Sequence, residues 1–377
     1  MNLHRCALRL LAMLPLATGG LVAAEELVTL QGAQAELLCA PAGGAIVAFR
    51  LKGQTLNPLN WEVPADIAQS QPKSTAPRGH FLCLDRWGAP SEAELKNGMP
   101  FHGEAPYATW TVEQPPRESA GALSAEMSCL LPLAGLRVDR RLELDADGTV
   151  FRVTERVTNT ARLGRVYNMV QHPTIAPPFL SADTVIDTNA REGLSQDEPP
   201  PTSRAGSPTW PQIKLRGAVR DLRRLETGTE REAVSDVTSF VFADGDEWGW
   251  VTASHPRQKL LIGYVWKTAD YPWLNIWRYR QGDKRLARGL EFGTTGYHQP
   301  FPVLVRTGRL LDRATYEFLD ANETATRSFL CFLAAIPEDY QGVANLKFEQ
   351  GEIRLLERRD AGPREISLPC QFKLGMQ

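Results

Sequence analysis

The chain has 377 residues, 43% hydrophobic and 23% charged, and its 42 Lys and Arg against 44 Asp and Glu leave a formal net charge of −2. That balance gives no electrostatic ground for a nucleic-acid or anionic-membrane partner, although a local basic cluster suited to a polyanion would not show in the total. The length fits two ordinary domains or one large all-β unit.

At the N-terminus, Arg5 and Arg9 precede an apolar stretch at 10–24, broken by Pro15 and by Gly19 and Gly20 and followed by Glu25 and Glu26. The stretch is short and interrupted for a bilayer span, and Val22, Ala23 and Ala24 offer small residues for cleavage. The pattern predicts a secretory signal peptide over 1–24 and a periplasmic or secreted mature chain over 25–377. No later segment is long and apolar enough to cross a membrane. Cys39, Cys83, Cys129, Cys331 and Cys370 remain after cleavage. Their odd number forbids complete pairing, and none has the close spacing of a zinc or redox motif. Buried free thiols acting as small hydrophobes are expected, with one disulfide left open.

Short strands and turn signals dominate the mature chain. Strands are predicted at 44–52 and 107–113. A hairpin comes next over 136–157, where Asp145, Ala146, Asp147 and Gly148 form the turn between alternating apolar positions. The stretch 192–217 differs. Pro199, Pro200, Pro201 and Pro208 interrupt regular structure there, so an insertion loop is expected, and 70–78 is similarly loop-like. Further strands are predicted at 238–243, 248–253, 259–266, 313–319 and 326–334, and a second hairpin turns at Gly351. No long amphipathic helix and no internal repeat is evident. Strands at this spacing predict an antiparallel sandwich or barrel rather than a parallel α/β enzyme.

Several segments carry candidate chemistry. Asp85, Arg86 and Trp87 come after a strand-like run. The arginine's donor fork suits a sugar hydroxyl or carboxylate, and the indole suits a pyranose face, the alternative being a structural Asp85–Arg86 strand end. His102 sits in the shaped loop Pro100-Phe101-His102-Gly103, where glycine permits close backbone approach. His172 ends a strand before Pro173. Trp273, Asn275 and Trp277 alternate along one strand and so share a face, a polar group between two aromatic platforms. Glu291 lies between Leu290 and Phe292, so it faces away from them. It is read either as an exposed glutamate or as a carboxylate held inward by a ligand. One carboxylate and two imidazoles can supply base, acid and orienting group for proton transfer at a sugar. No His-Glu-x-x-His, EF-hand, Cys-x-x-Cys, Gly-x-Ser-x-Gly or glycine-rich phosphate motif occurs, so no metal or cofactor is expected.

The segments around His102, His172 and Glu291, in that order within strand-rich sequence, resemble the aldose 1-epimerase (galactose mutarotase-like) superfamily over roughly 35–335. The resemblance implies an all-β fold, a β-supersandwich of mainly antiparallel strands with an open, concave sugar site. It implies Glu291 as the base that takes the anomeric hydroxyl proton and His172 as the acid that protonates the ring oxygen. His102 becomes an orienting or auxiliary donor, and Arg86 a hydroxyl anchor. The spacing between His102 and a preceding asparagine departs from the family pattern, and the family's binding aspartate has no clear counterpart. The sequence-based expectation is a sugar or oligosaccharide partner and anomer interconversion. A non-catalytic carbohydrate-binding protein and a polysaccharide lyase or hydrolase on the same fold stand beside it.

Overall fold

The computed structural model describes residues 25–63, 77–224, 234–281, 285–349, 351–360 and 362–375. The signal peptide expected at 1–24, and most of the loop expected at 70–78, lie outside the described residues. Two large antiparallel sheets face each other. The first runs in the order Val28–Gln31, Ala35–Ala40, Ala45–Leu51, His80–Asp85, Arg165–Ile175, Arg285–Gly293, Trp273–Gln281, Val234–Val241 and Gly193–Ser195, with Glu317–Leu319 also paired to Arg165–Ile175. The second runs Val185–Thr188, Trp248–His255, Leu260–Lys267, Thr324–Ala335, Val150–Asn159, Leu136–Asp145, Ala122–Leu131 and Thr111–Ser119. A three-stranded sheet, Val343–Glu349, Glu352–Glu357 and Glu365–Pro369, completes the chain.

Period-two alternation explains how the two sheets meet. In Leu136–Asp145 the residues Leu136, Val138, Leu142 and Leu144 point inward. Phe151, Val153 and Val157 of Val150–Asn159 meet them. The rings of Phe49 and Phe151 and of Trp266 and Phe292 pack between the layers, the latter pair stacked at 4.1 Å. Burying each such side chain contributes about 1.5–3 kcal/mol.

The alternation is broken in one cross-strand pair, Arg140 and Glu155, where apolar residues are expected. Both are buried, with Arg140 Nε donating to Glu155 Oε1 at 2.7 Å and its guanidinium lying over Trp110 at 4.3 Å. Gln171 Nε2 donates to Glu155 Oε2 at 2.6 Å, which ties the site-bearing strand Arg165–Ile175 to the opposite sheet. A buried charge pair survives only when its remaining valences are filled in this way.

The structure differs from expectation in several places. The strand expected at 107–113 begins at Thr111, because 105–107 form a single 3₁₀ turn containing Pro106. The stretch 313–319 is divided into Arg313–Ala314 and Glu317–Leu319. Within 192–217, Gly193–Ser195 adds an edge strand to the first sheet, and Gln212–Leu215 starts a hairpin with Ala218–Asp221. There Ile213 and Leu215 are buried between exposed Gln212 and Lys214, an alternation that the neighbouring prolines obscure. Cys39, Cys83, Cys129, Cys331 and Cys370 are free and buried. Among the described residues no helix is long and apolar enough to cross a membrane.

Candidate active site

Leu290 and Phe292 point into the core, so Glu291 emerges on the outer face of the first sheet. In the neighbouring strand Gly289 pairs with Thr174 and Phe292 with Gln171, which sets Glu291 beside His172. His172 Nε2 lies 3.1 Å from Glu291 Oε1. Trp87 Nε1 donates to Glu291 Oε2 at 2.7 Å, and His172 Nδ1 lies 3.0 Å from Thr174 Oγ1. Both carboxylate oxygens and both imidazole nitrogens therefore have partners. Phe81, opposite His172 in the adjacent strand, stacks on its ring at 4.2 Å, and Trp277 approaches it edge-on at 6.0 Å.

His102 reaches the same place from a loop. Its backbone is left-handed, φ 66°, and Gly103 comes next at φ 79° with the Leu84 carbonyl where a side chain would stand. Only glycine fits there. The Gly88 N–H donates to His102 Nδ1 at 3.0 Å, which leaves the ring proton on Nε2. The His102 ring lies 5.4 Å from that of His172. His298 completes the group, with its ring 6.0 Å from His102 and 4.6 Å from Trp87. A side chain at Gly88 would meet the His298 ring, so this glycine admits the third imidazole.

Burial governs the charges. Glu291 is 1% exposed, and desolvation raises its pKa well above the usual carboxylate value, the Trp87 N–H pulling the other way. His172 is 4% exposed, and burial lowers it to about 3, with His298 adding to the fall. Burial also lowers His102 well below the ordinary value, and lowers His298 to about 4. At neutral pH the histidines are uncharged, and burial favours the protonated, neutral form of Glu291 beside the neutral His172 imidazole. Moving that proton across 3.1 Å would create a carboxylate and an imidazolium without changing the net charge. The group is more enclosed than the open, concave site that the family resemblance implies.

The other sequence candidates fall into two sets. Asn275 stands directly across the strand pair from Glu291, donates through Nδ2 to the Thr295 carbonyl at 3.1 Å, and has no partner on Oδ1 among the described residues. Trp87 and Trp277 border the same group. Trp273 shares the face but is fully buried with Leu194, Val241, Leu310 and Leu311, its Nε1 donating to the Ala314 carbonyl at 3.1 Å. Arg86 turns to carboxylates of the protein: Asp85 at 2.6 Å and Glu94 at 2.7 Å, over the ring of Phe301. Asp85 is buried and also accepts from Arg165. Asp85 and Arg86 thus form a structural knot at the strand end. Arg86 has two carboxylates in place of the sugar hydroxyl expected of it.

His298 escaped sequence reasoning, as did Phe101 beside it, Phe81 against His172, and Trp61 against Phe81 and Trp277. Its only local signal was position: seven residues after Glu291, in Gly296-Tyr297-His298, with no motif of its own. Among the described residues no group of three or more His, Cys, Asp or Glu is placed to hold a metal ion.

No protein-family model and no curated protein sequence matches the chain. Solved structures do. A candidate aldose 1-epimerase from Klebsiella pneumoniae superposes with a TM-score of 0.58 at 15% identity, over 81% of this chain and 77% of that one. A galactose mutarotase related enzyme from Lactobacillus acidophilus gives 0.55 at 12% identity, over 84% and 100%. A galactose mutarotase-like protein from Clostridium acetobutylicum gives 0.55 at 14%, over 83% and 96%. At such identities the likeness is one of architecture: the chain has the galactose mutarotase-like β-sandwich fold.

Proposed function

We propose that the chain is an exported enzyme that interconverts the anomers of an aldose, or of the reducing end of an oligosaccharide, at Glu291 and His172. The observation that carries this reading is the 3.1 Å contact between the buried carboxyl of Glu291 and the buried imidazole of His172. In the carboxylate–imidazolium form, Glu291 takes the proton of the anomeric hydroxyl while His172 gives its Nε2 proton to the ring oxygen. The electron pair from the O–H bond forms the carbonyl, and the bond from the anomeric carbon to the ring oxygen breaks. The pair is then neutral, the form that burial favours. Rotation about the carbonyl-bearing bond and the reverse transfers close the ring to the other anomer. Asn275 Oδ1 can accept a sugar hydroxyl, and Trp277 can offer an aromatic face to the ring.

The test is anomer interconversion across a panel of aldoses, followed by NMR, with Glu291→Gln as control. Acceleration that the variant loses, with its fold intact, supports the reading. No acceleration over the uncatalysed rate on any sugar rejects it. The enclosure of Glu291 and His172 favours a second reading, sugar binding without turnover. That reading predicts glycan binding by wild type and variant alike with no rate enhancement in either. Export is tested separately: the mature N-terminus should fall near Glu25.

A further inference from the structure

The outer face of the second sheet is divided in two. Around Trp250, Leu261, Val265, Leu330 and Phe332 it is apolar, and the C-terminal sheet covers it through Leu346, Ile353 and Leu355. Beyond that cover the same face turns polar. In register across four strands stand Ser124, Glu143 and Arg152, then Arg141, Thr154 and Ser328, then Arg156 and Thr326. The chain-terminal residues 371–375 rise on one side, and Lys267 and Asp270 stand on another. Together they enclose a groove of about 980 Å³.

Within the groove the cations outnumber the acids. Arg141, Arg152, Arg156, Lys267 and Lys373 line the groove against two carboxylates, Glu143 and Asp270. Glu143 is shared between Arg152 at 2.6 Å and Arg141 at 3.1 Å. Arg156, Lys267 and Lys373 have no carboxylate at ion-pair distance among the described residues, in a chain where acids outnumber bases. These three cations come from three different segments, Val150–Asn159, Leu260–Lys267 and the residues after Glu365–Pro369. Between them the floor is hydroxyl-bearing, with Thr154 and Ser328 hydrogen-bonded at 3.0 Å. Arg152 also donates to the Lys373 carbonyl at 3.1 Å, which fixes the terminal wall.

We propose that this groove binds an acidic oligosaccharide, its uronate carboxylates meeting Arg156, Lys267 and Lys373 and its hydroxyls meeting the Ser and Thr floor. Arginine supplies a fork that matches a carboxylate, and the lysines supply mobile point charges. The site is on the opposite sheet from Glu291 and does not depend on any reaction there. A chain that holds an acidic glycan on one face while presenting Glu291 on another would concentrate itself on a polymer.

The test is titration of short galacturonate oligomers into the full mature chain at low salt by calorimetry. Galactose oligomers of the same length and inorganic phosphate serve as comparison ligands. Galacturonate should bind, weaken with added salt, and lose about tenfold in affinity in the combined variant Arg156→Gln, Lys267→Gln, Lys373→Gln, as three solvent-accessible ion pairs warrant. Glu291→Gln should bind it unchanged, and the melting temperature of the triple variant should match the wild type. Equal affinity in the triple variant, equal binding of the neutral oligomer, or no binding at low salt would each overturn the proposal. Complete displacement by inorganic phosphate at equal concentration would also overturn it, since a free anion would then be the better ligand.

Discussion

Acidification should weaken this fold through its buried imidazoles, and His80 isolates the effect. Its ring is buried behind the site strand, with Nε2 at 3.2 Å from Gln171 Oε1 and Nδ1 at 3.4 Å from Tyr264 Oη. Burial, then the nearby Arg140, lowers its pKa from 6.5 to about 3, the Gln171 contact opposing and His172 adding slightly. A depressed histidine leaves stability intact above pH 6.5 and removes it as pH falls toward the folded value, because only the unfolded chain takes up the proton. At pH 5 the gap from 6.5 is worth about 2 kcal/mol for this one ring. That is a large part of the roughly 5–15 kcal/mol by which domains are stable. His172 and His298, held at about 3 and about 4, act in the same sense. Glu291 acts oppositely: its raised pKa stabilises the fold below the unfolded value of 4.5, and that contribution is lost as pH rises through the folded value.

Comparison of wild type with His80→Gln removes the shared terms. The amide is polar and does not titrate. Urea unfolding at pH 7 and pH 5 should therefore show the variant losing about 2 kcal/mol less than the wild type over that interval, whatever its stability at pH 7. Equal losses in the two proteins would refute the argument, since His80 would then titrate alike folded and unfolded.

Three further outcomes rest on particular contacts. Trp87→Phe removes the 2.7 Å donor to Glu291, and the lost charge-assisted bond, about 1.5–3 kcal/mol, should push the Glu291 pKa still higher and lower kcat in the anomer assay. An unchanged pH–rate profile would count against it. Asp187→Ala removes the acceptor for Arg223 at 3.0 Å, Arg358 at 2.7 Å and the Val343 N–H at 2.8 Å, the last two of which hold the C-terminal sheet. A loss of about 3 kcal/mol, reduced by the solvent access of both arginines, should appear as faster limited proteolysis between 336 and 343 than in the wild type. Gly296→Ala would drive a methyl into the Trp273 ring, and the melting temperature should fall with about 1–3 kcal/mol of overpacking.

The sequence was most informative where alternation is strict. Leu136–Asp145 and Val150–Asn159 read as a hairpin because inward and outward residues change places at every step. The shared face of Trp273, Asn275 and Trp277 was legible for the same reason. Contacts made across long sequence distances were not. Arg86 could be read as a ligand anchor because nothing local announces that Glu94 lies beside it, held by the Ser91 cap of a five-residue helix. His298 arrives beside His102, nearly two hundred residues earlier in the chain, only when two loops converge at Gly88. A pattern of period two carries no information about such a meeting.

What period two does specify is which side of the sheet carries the chemistry. A slip of one residue in Arg285–Gly293 would turn Glu291 into the core and Phe292 out of it. Phe292 is the residue least able to leave: its ring stacks on Trp266 at 4.1 Å and meets Tyr271 and Phe329 edge-on at 5.3 and 5.2 Å. Exposing that ring and burying an unpaired carboxylate would each cost several kcal/mol, so the aromatic core holds Glu291 beside His172 more firmly than their own contact does. The geometry of the pair is thus set by packing on the other face of the strand.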